Sequence, residues 1–119
     1  MKKRILVIDD EELIIKSLSR LLEKNGYEVF IAKNGQDALV MIEVEDFDLI
    51  IADMKMPGMN GAETVERIYK TKKIPVIFIT GYADEDLKKR ADALAPVAYI
   101  YKPFDIGELV GKIKQGFKL

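Results

Sequence analysis

The chain contains no cysteine, no histidine and no tryptophan among its 119 residues. Without cysteine there can be no disulfide, no thiol nucleophile and no cysteine-based zinc site. Without histidine, imidazole acid/base catalysis, histidine-ligated metals and a Ser-His-Asp triad are excluded. Neither sign of charge is in excess. Nineteen Lys and Arg face twenty Asp and Glu, so no general electrostatic pull toward nucleic acid is expected. No apolar run is long enough to span a membrane and no signal-peptide pattern stands at the start. These absences predict a cytoplasmic protein that touches neither membrane nor nucleic acid directly. No low-complexity segment, linker or internal repeat interrupts the chain. What remains is 49% hydrophobic and 33% charged, as in ordinary soluble domains, and the length suits one core. A single domain over residues 1–119 is expected. Its chemistry must rest on carboxylates, hydroxyls, lysines and an oxygen-liking metal.

The organising stretch is Asp48-Leu49-Ile50-Ile51-Ala52-Asp53-Met54-Lys55-Met56-Pro57-Gly58. A short run rich in Ile and Leu reads as a strand buried on both faces. It ends on a carboxylate, and Met-Pro-Gly then turns the chain away. Asp53 therefore stands at the carboxyl end of a buried strand, where open α/β sheets place their ligands.

Four further strands are expected at Lys3 to Ile8, Tyr27 to Ala32, Val76 to Ile79 and Val97 to Tyr101. A helical pattern follows each strand, that ending at Asp53 included. The first helix should bury Ile14, Leu18, Leu21 and Leu22 at helical spacing and stop at Asn25-Gly26. The second should turn Ala38, Leu39 and Ile42 inward, the third Val65 and Ile68, the fourth Leu87, Ala91 and Leu94. The last should carry Leu109, Ile113 and Phe117. Asn60 is a helix cap, and Asp105 with Glu108 has the form of a capping box. Strict βα alternation predicts a parallel sheet with helices on both faces and right-handed crossovers. The most apolar strands belong in the middle and the more polar second strand at an edge. The fold is therefore a doubly wound five-stranded sheet of order 2-1-3-4-5, flavodoxin-like.

In that order the first and third strands are neighbours at the point where the winding reverses. Their carboxyl ends bring Asp9-Asp10 beside Asp53, while Thr80 and Lys102 end the fourth and fifth strands. Three converging carboxylates repel and favour a cation among them. Oxygen donors without His or Cys call for a hard ion, Mg²⁺ above all. Asp53 then reads as a nucleophile that accepts a phosphoryl group. Lys102 and the metal would neutralise the transferring charge, and the Thr80 hydroxyl would hydrogen-bond a phosphoryl oxygen. Each residue also has an ordinary structural use: Asp as a cap or turn residue, Thr at a strand end, Lys as a solvated charge. Their joint placement at strand ends favours the chemical reading. Lys88-Lys89-Arg90 is expected to be a solvated helix face, Tyr101 an edge-strand aromatic, and Met54, Met56 and Met59 loop packing.

The sequence resembles the receiver domain of two-component response regulators over essentially its whole length. The resemblance rests on Val7-Ile8-Asp9-Asp10-Glu11, on Asp53 through Gly61, on Thr80-Gly81 and on Lys102-Pro103-Phe104. It implies that Asp53 takes a phosphoryl group from a phosphohistidine on a sensor histidine kinase or a histidine phosphotransfer protein. It implies that Asp10, Asp53 and the backbone carbonyl of Lys55 hold Mg²⁺, with Asp9 acting mostly through water. It implies that Lys102 pairs with the phosphoryl group, that Thr80 moves toward it, and that Tyr99 swings into the space vacated. The face made by the fourth helix, fifth strand and fifth helix would change and reach a downstream protein or a further output domain. Lys55 and Tyr82 stand where the family modulates phosphoryl lifetime, and the Lys102-Pro103 bond is cis in the family. Ala95-Pro96 departs from the Gly-Ala usual before the fifth strand. Beyond self-phosphorylation and self-dephosphorylation the chain is not expected to be an enzyme. Three other readings stand beside this one: an Asp-nucleophile phosphatase, for which no cap segment remains; a flavodoxin-like cofactor binder, which Asp9 to Glu12 would repel; and a receiver acting by protein binding alone.

Overall fold

A computed structural model describes residues 2–81 and 84–117. Its elements are β1 (Arg4–Ile8), α1 (Glu12–Lys24), β2 (Glu28–Ala32), α2 (Gly35–Val44), β3 (Leu49–Asp53), α3 (Gly61–Ile68), β4 (Val76–Thr80), α4 (Glu85–Asp92), β5 (Ala98–Tyr101) and α5 (Ile106–Phe117). The five strands form one parallel sheet in the order β2-β1-β3-β4-β5, as the alternation of patterns predicts.

Continuous apolar strands give each face of the sheet something to bury. Leu6, Ile8, Ile50, Ala52 and Phe78 point into one layer, where Ala38 and Ile42 of α2, Val65 and Ile68 of α3 and Ala91 of α4 cover them. Ile5, Val7, Leu49, Ile51, Ile77 and Ile79 point into the other, under Leu18 and Leu22 of α1 and Leu109 and Ile113 of α5. Truncating one of the central isoleucines to alanine would cost about 2–5 kcal/mol. This double burial makes the middle of the sheet a rigid base for the residues at its carboxyl edge.

Several local expectations shift by one position. The strands expected from Lys3, Tyr27 and Val97 begin one residue later. The first helix buries Ile15, Leu18 and Leu22, while Ile14 and Leu21 are half-buried. Helical periodicity fixes spacing along a stripe but leaves its centre free by one residue when two isoleucines are adjacent. Asn60 caps α3 with a complete box, its side chain accepting from the Glu63 amide while Glu63 reaches back. At α5 Asp105 Oδ1 accepts from the Gly107 amide at 2.6 Å and from the Glu108 amide at 3.4 Å, half of the expected box; no return bond from the Glu108 side chain is found among the described residues. Lys102-Pro103 is cis.

Ala95 carries the departure before β5. It adopts φ 53°, the left-handed conformation in which a Cβ crowds the backbone. The chain leaves α4 through Ala95 and Pro96 and still reaches β5, with the Val97 amide donating to the Val76 carbonyl.

Candidate functional site

Register places the acidic residues together. Ile8 pairs with Ala52 across β1 and β3, so Asp9 and Asp53 come next, side by side. Asp9 and Asp53 are 1% and 3% exposed, whereas Asp10 is open to solvent. One carboxylate oxygen from each of the three lies within 4.8 Å of the others. Asp9 Oδ1 accepts from the Glu11 amide at 2.9 Å, and its buried Oδ2 has no hydrogen-bond partner. Burial pushes the Asp9 carboxyl up to about 6, the neighbouring Asp53 charge adding to the rise and the Glu11 amide opposing it. Asp53 is raised too, by burial, against the pull of the Lys55 amide and of Lys102. Two acids driven toward neutrality and an orphaned buried oxygen describe a pocket short of positive charge. An all-oxygen donor set of this kind fits a hard divalent cation.

Lys102 supplies part of that charge from the end of β5. Its Nζ lies 3.5 Å from Asp53 Oδ2 and 2.8 Å from Glu11 Oε1. Burial alone would lower this ammonium, but the Glu11 bond and the surrounding carboxylates outweigh it and hold it above the ordinary lysine value. The Lys55 amide donates to Asp53 Oδ1 at 3.1 Å, and the exposed Lys55 side chain lines the cleft mouth. That cleft, about 740 Å³, runs from Asp53 past Lys102 to Ile14, Phe104 and Ile106.

Thr80 is buried at the end of β4, its carbonyl accepting from the Lys102 amide at 2.8 Å. It shares a smaller cavity of about 140 Å³ with Met54, Lys88, Tyr99 and Tyr101. Tyr99 is half-buried beside that cavity and stacks on Phe78, with ring centroids 6.0 Å apart. Its hydroxyl donates to Asp92 Oδ1 at 2.5 Å. The structure thus gathers Asp9, Asp10, Asp53, Lys102 and Lys55 at one site, with Thr80 and Tyr99 around the neighbouring cavity. Tyr82 lies outside the described residues.

A model of the response regulator receiver domain matches residues 5–114. The chain belongs to the response regulator receiver domain family. The receiver is 41% identical to the transcriptional regulatory protein CrdR of Helicobacter pylori, over 98% of this chain and 56% of that protein. It is 36% identical to sporulation initiation phosphotransferase F of Bacillus subtilis, over 97% of this chain and 94% of that one. In space it superposes on a CheY-like receiver domain protein of Methanospirillum hungatei with a TM-score of 0.94 and 37% identity, covering 99% and 95% of the two chains. The chain spans about half the length of the first curated relatives it matches. Among the described residues of the receiver, no helix is long and apolar enough to cross a membrane.

Four contributors to the site have roles that escape a reading by sequence alone. Glu11 is visible there as the last residue of the first family motif, but its bond to Lys102 depends on folding. Gly61 is visible only as part of a family pattern, yet its backbone packs against that of Asp53. Asp92 and Lys88 belong to a surface helix, and both engage Tyr99. Of the basic run Lys88-Lys89-Arg90, Arg90 also pairs with Glu66 of α3, so this solvated face is tied down at two points. Met54 and Met56 are buried, as packing residues should be.

Proposed function

We propose that this receiver is a phosphorylation switch whose acceptor is Asp53. The donor is a phosphohistidine on a sensor histidine kinase or a histidine phosphotransfer protein. A carboxylate oxygen of Asp53 attacks phosphorus in line with the leaving imidazole. The O–P bond forms as the P–N bond breaks, and the electron pair stays on the imidazole nitrogen, which takes a proton from solvent. The imidazole is the partner's, since this chain has no histidine.

The observation that carries the proposal is the trio Asp9, Asp10 and Asp53 within 4.8 Å, with an unpartnered Asp9 oxygen and Lys102 alongside. Mg²⁺ suits these donors: Asp10, Asp53 and the Lys55 carbonyl would hold it, with Asp9 acting through water. When bound, the ion supplies positive charge against which the transferring oxygens are neutralised. Lys102 pairs with the phosphoryl group, and the Thr80 hydroxyl turns toward it. Tyr99 moves into the space beside Thr80, and the face of α4, β5 and α5 changes its contacts with a target protein or a further domain. Lys55 and Tyr82 set how long the phosphoryl group survives. The receiver works in the cytoplasm without binding nucleic acid itself and turns over no substrate but its own acyl phosphate.

Intact mass after incubation with acetyl phosphate and Mg²⁺ tests the reading. Wild type gains one phosphoryl group, and chelating the metal or making Asp53→Ala abolishes the gain. An adduct that persists in Asp53→Ala would refute Asp53 as acceptor.

A further inference from the structure

Lys102 has two anionic neighbours, and the nearer is not the acceptor. Its Nζ donates to Glu11 Oε1 at 2.8 Å, while Asp53 Oδ2 is at 3.5 Å, the limit of a hydrogen bond. Glu11 occupies the cap position of α1, yet its side chain makes no cap hydrogen bond. Glu is a poor choice for capping, where Asp, Asn, Ser and Thr are preferred. The side chain reaches instead to a lysine on the far side of the acceptor. Its base is fixed by the pocket itself, because the Glu11 amide donates to Asp9 Oδ1. The position gives up a helix cap in exchange for a long-range ion pair.

We propose that Glu11 is a positioning residue that holds the Lys102 ammonium in reserve beside Asp53 and competes with an incoming phosphoryl group for it. The inference rests on the phosphoacceptor reading of Asp53. In the resting state the arrangement leaves Asp53 only loosely paired, so its carboxylate remains available to attack. Once a phosphoryl group sits on Asp53, Lys102 must leave Glu11 to meet it. Glu11 therefore biases the receiver toward its resting state and sets how much anion is needed to convert it.

The test uses the beryllium fluoride anion with Mg²⁺, a non-transferable phosphoryl mimic, titrated against the whole chain and followed by amide chemical shifts. Glu11→Gln removes the charge. Glu11→Asp keeps the charge but shortens the reach, and its shorter side chain is free to cap α1. Glu12→Gln removes an adjacent charge that pairs with Lys33 rather than Lys102. The ion pair is partly exposed, so release should lower the half-saturating anion concentration by about two- to fivefold. Both Glu11 variants should show this gain and Glu12→Gln should not. If Glu11→Asp matches wild type, or if Glu12→Gln gains as much as Glu11→Gln, only general charge matters and the proposal is wrong. If wild type neither binds the mimic nor gains a phosphoryl group by mass, the phosphoacceptor reading fails and takes this inference with it. A wild type that responds beside two unresponsive Glu11 variants overturns the inference alone.

Discussion

Gly61 lies directly against the backbone of Asp53: a methyl group on its Cα would collide with the Asp53 carbonyl oxygen and crowd the Met54 Cα. The obstruction is main chain on a buried strand, so it cannot swing aside. Gly61→Ala should therefore push α3 away from the end of β3. Destabilisation of about 1–3 kcal/mol is expected, as for other overpacked sites. Urea denaturation measures it, and the acceptor's phosphorylation rate should fall as well. Unchanged stability and rate would mean that the close approach is relaxed in solution.

The pH response of the metal-free protein follows from Asp9. Its folded value of about 6 lies above the ordinary 3.8, so the folded state holds the proton more tightly than the unfolded chain. Stability from this group is greatest in acid and is lost as pH rises between those values, by at most about 3 kcal/mol. Asp53, also raised by burial, acts in the same direction. Asp9→Asn should accordingly be more stable than wild type at about pH 7.5, in chelator, and that advantage should shrink to about 1 kcal/mol at about pH 4.5. Urea midpoints of the two proteins at both pH values provide the check. A gap that does not widen with pH would contradict the assignment.

Ala95 is held at φ 53°. Ala95→Gly relieves the crowding at the cost of a more flexible unfolded chain. The net gain should be about 0.5–1 kcal/mol, or about 2–5 °C in Tm. Calorimetry decides; a loss of stability would show that the left-handed turn carries no strain.

Tyr99 should ionise well above the usual phenol range, because burial disfavours the phenolate and Asp92 accepts its proton in a hydrogen bond. Tyr69 is raised by burial as well, so among five tyrosines two should lag in an alkaline absorbance titration, Tyr99 the further. Asp92→Ala should bring Tyr99 part of the way back, since burial remains, and leave Tyr69 where it was. The neutral phenol is the form favoured by folding, so its contribution is present below the ordinary value and fades as pH climbs past it. A titration curve identical in both proteins would show that the Asp92 bond is not made in solution.

The framework of this receiver was legible because unbroken apolar runs such as Ile5 to Ile8 and Leu49 to Ala52 leave few alternatives to central parallel strands. Once strand order followed, the carboxyl ends brought Asp9, Asp10, Asp53 and Lys102 together without further information. Illegible were features that depend on side chains meeting across elements. Nothing near Glu11 in the chain announces Lys102, and nothing near Asp92 announces Tyr99 as its donor. The phase of the first helix escaped for a different reason: adjacent Ile14 and Ile15 satisfy the same spacing, and only the folded packing buries Ile15 and leaves Ile14 half-buried.

The seam between β1 and β3 has a consequence for the life of the molecule. Asp9 and Asp53 belong to separate βα units and share no local segment, so the acidic trio exists only where β1 and β3 have joined. With Asp53 as the acceptor proposed above, a copy whose strands had parted would lack the trio, and responsiveness to a phosphodonor would itself report that the interior has closed.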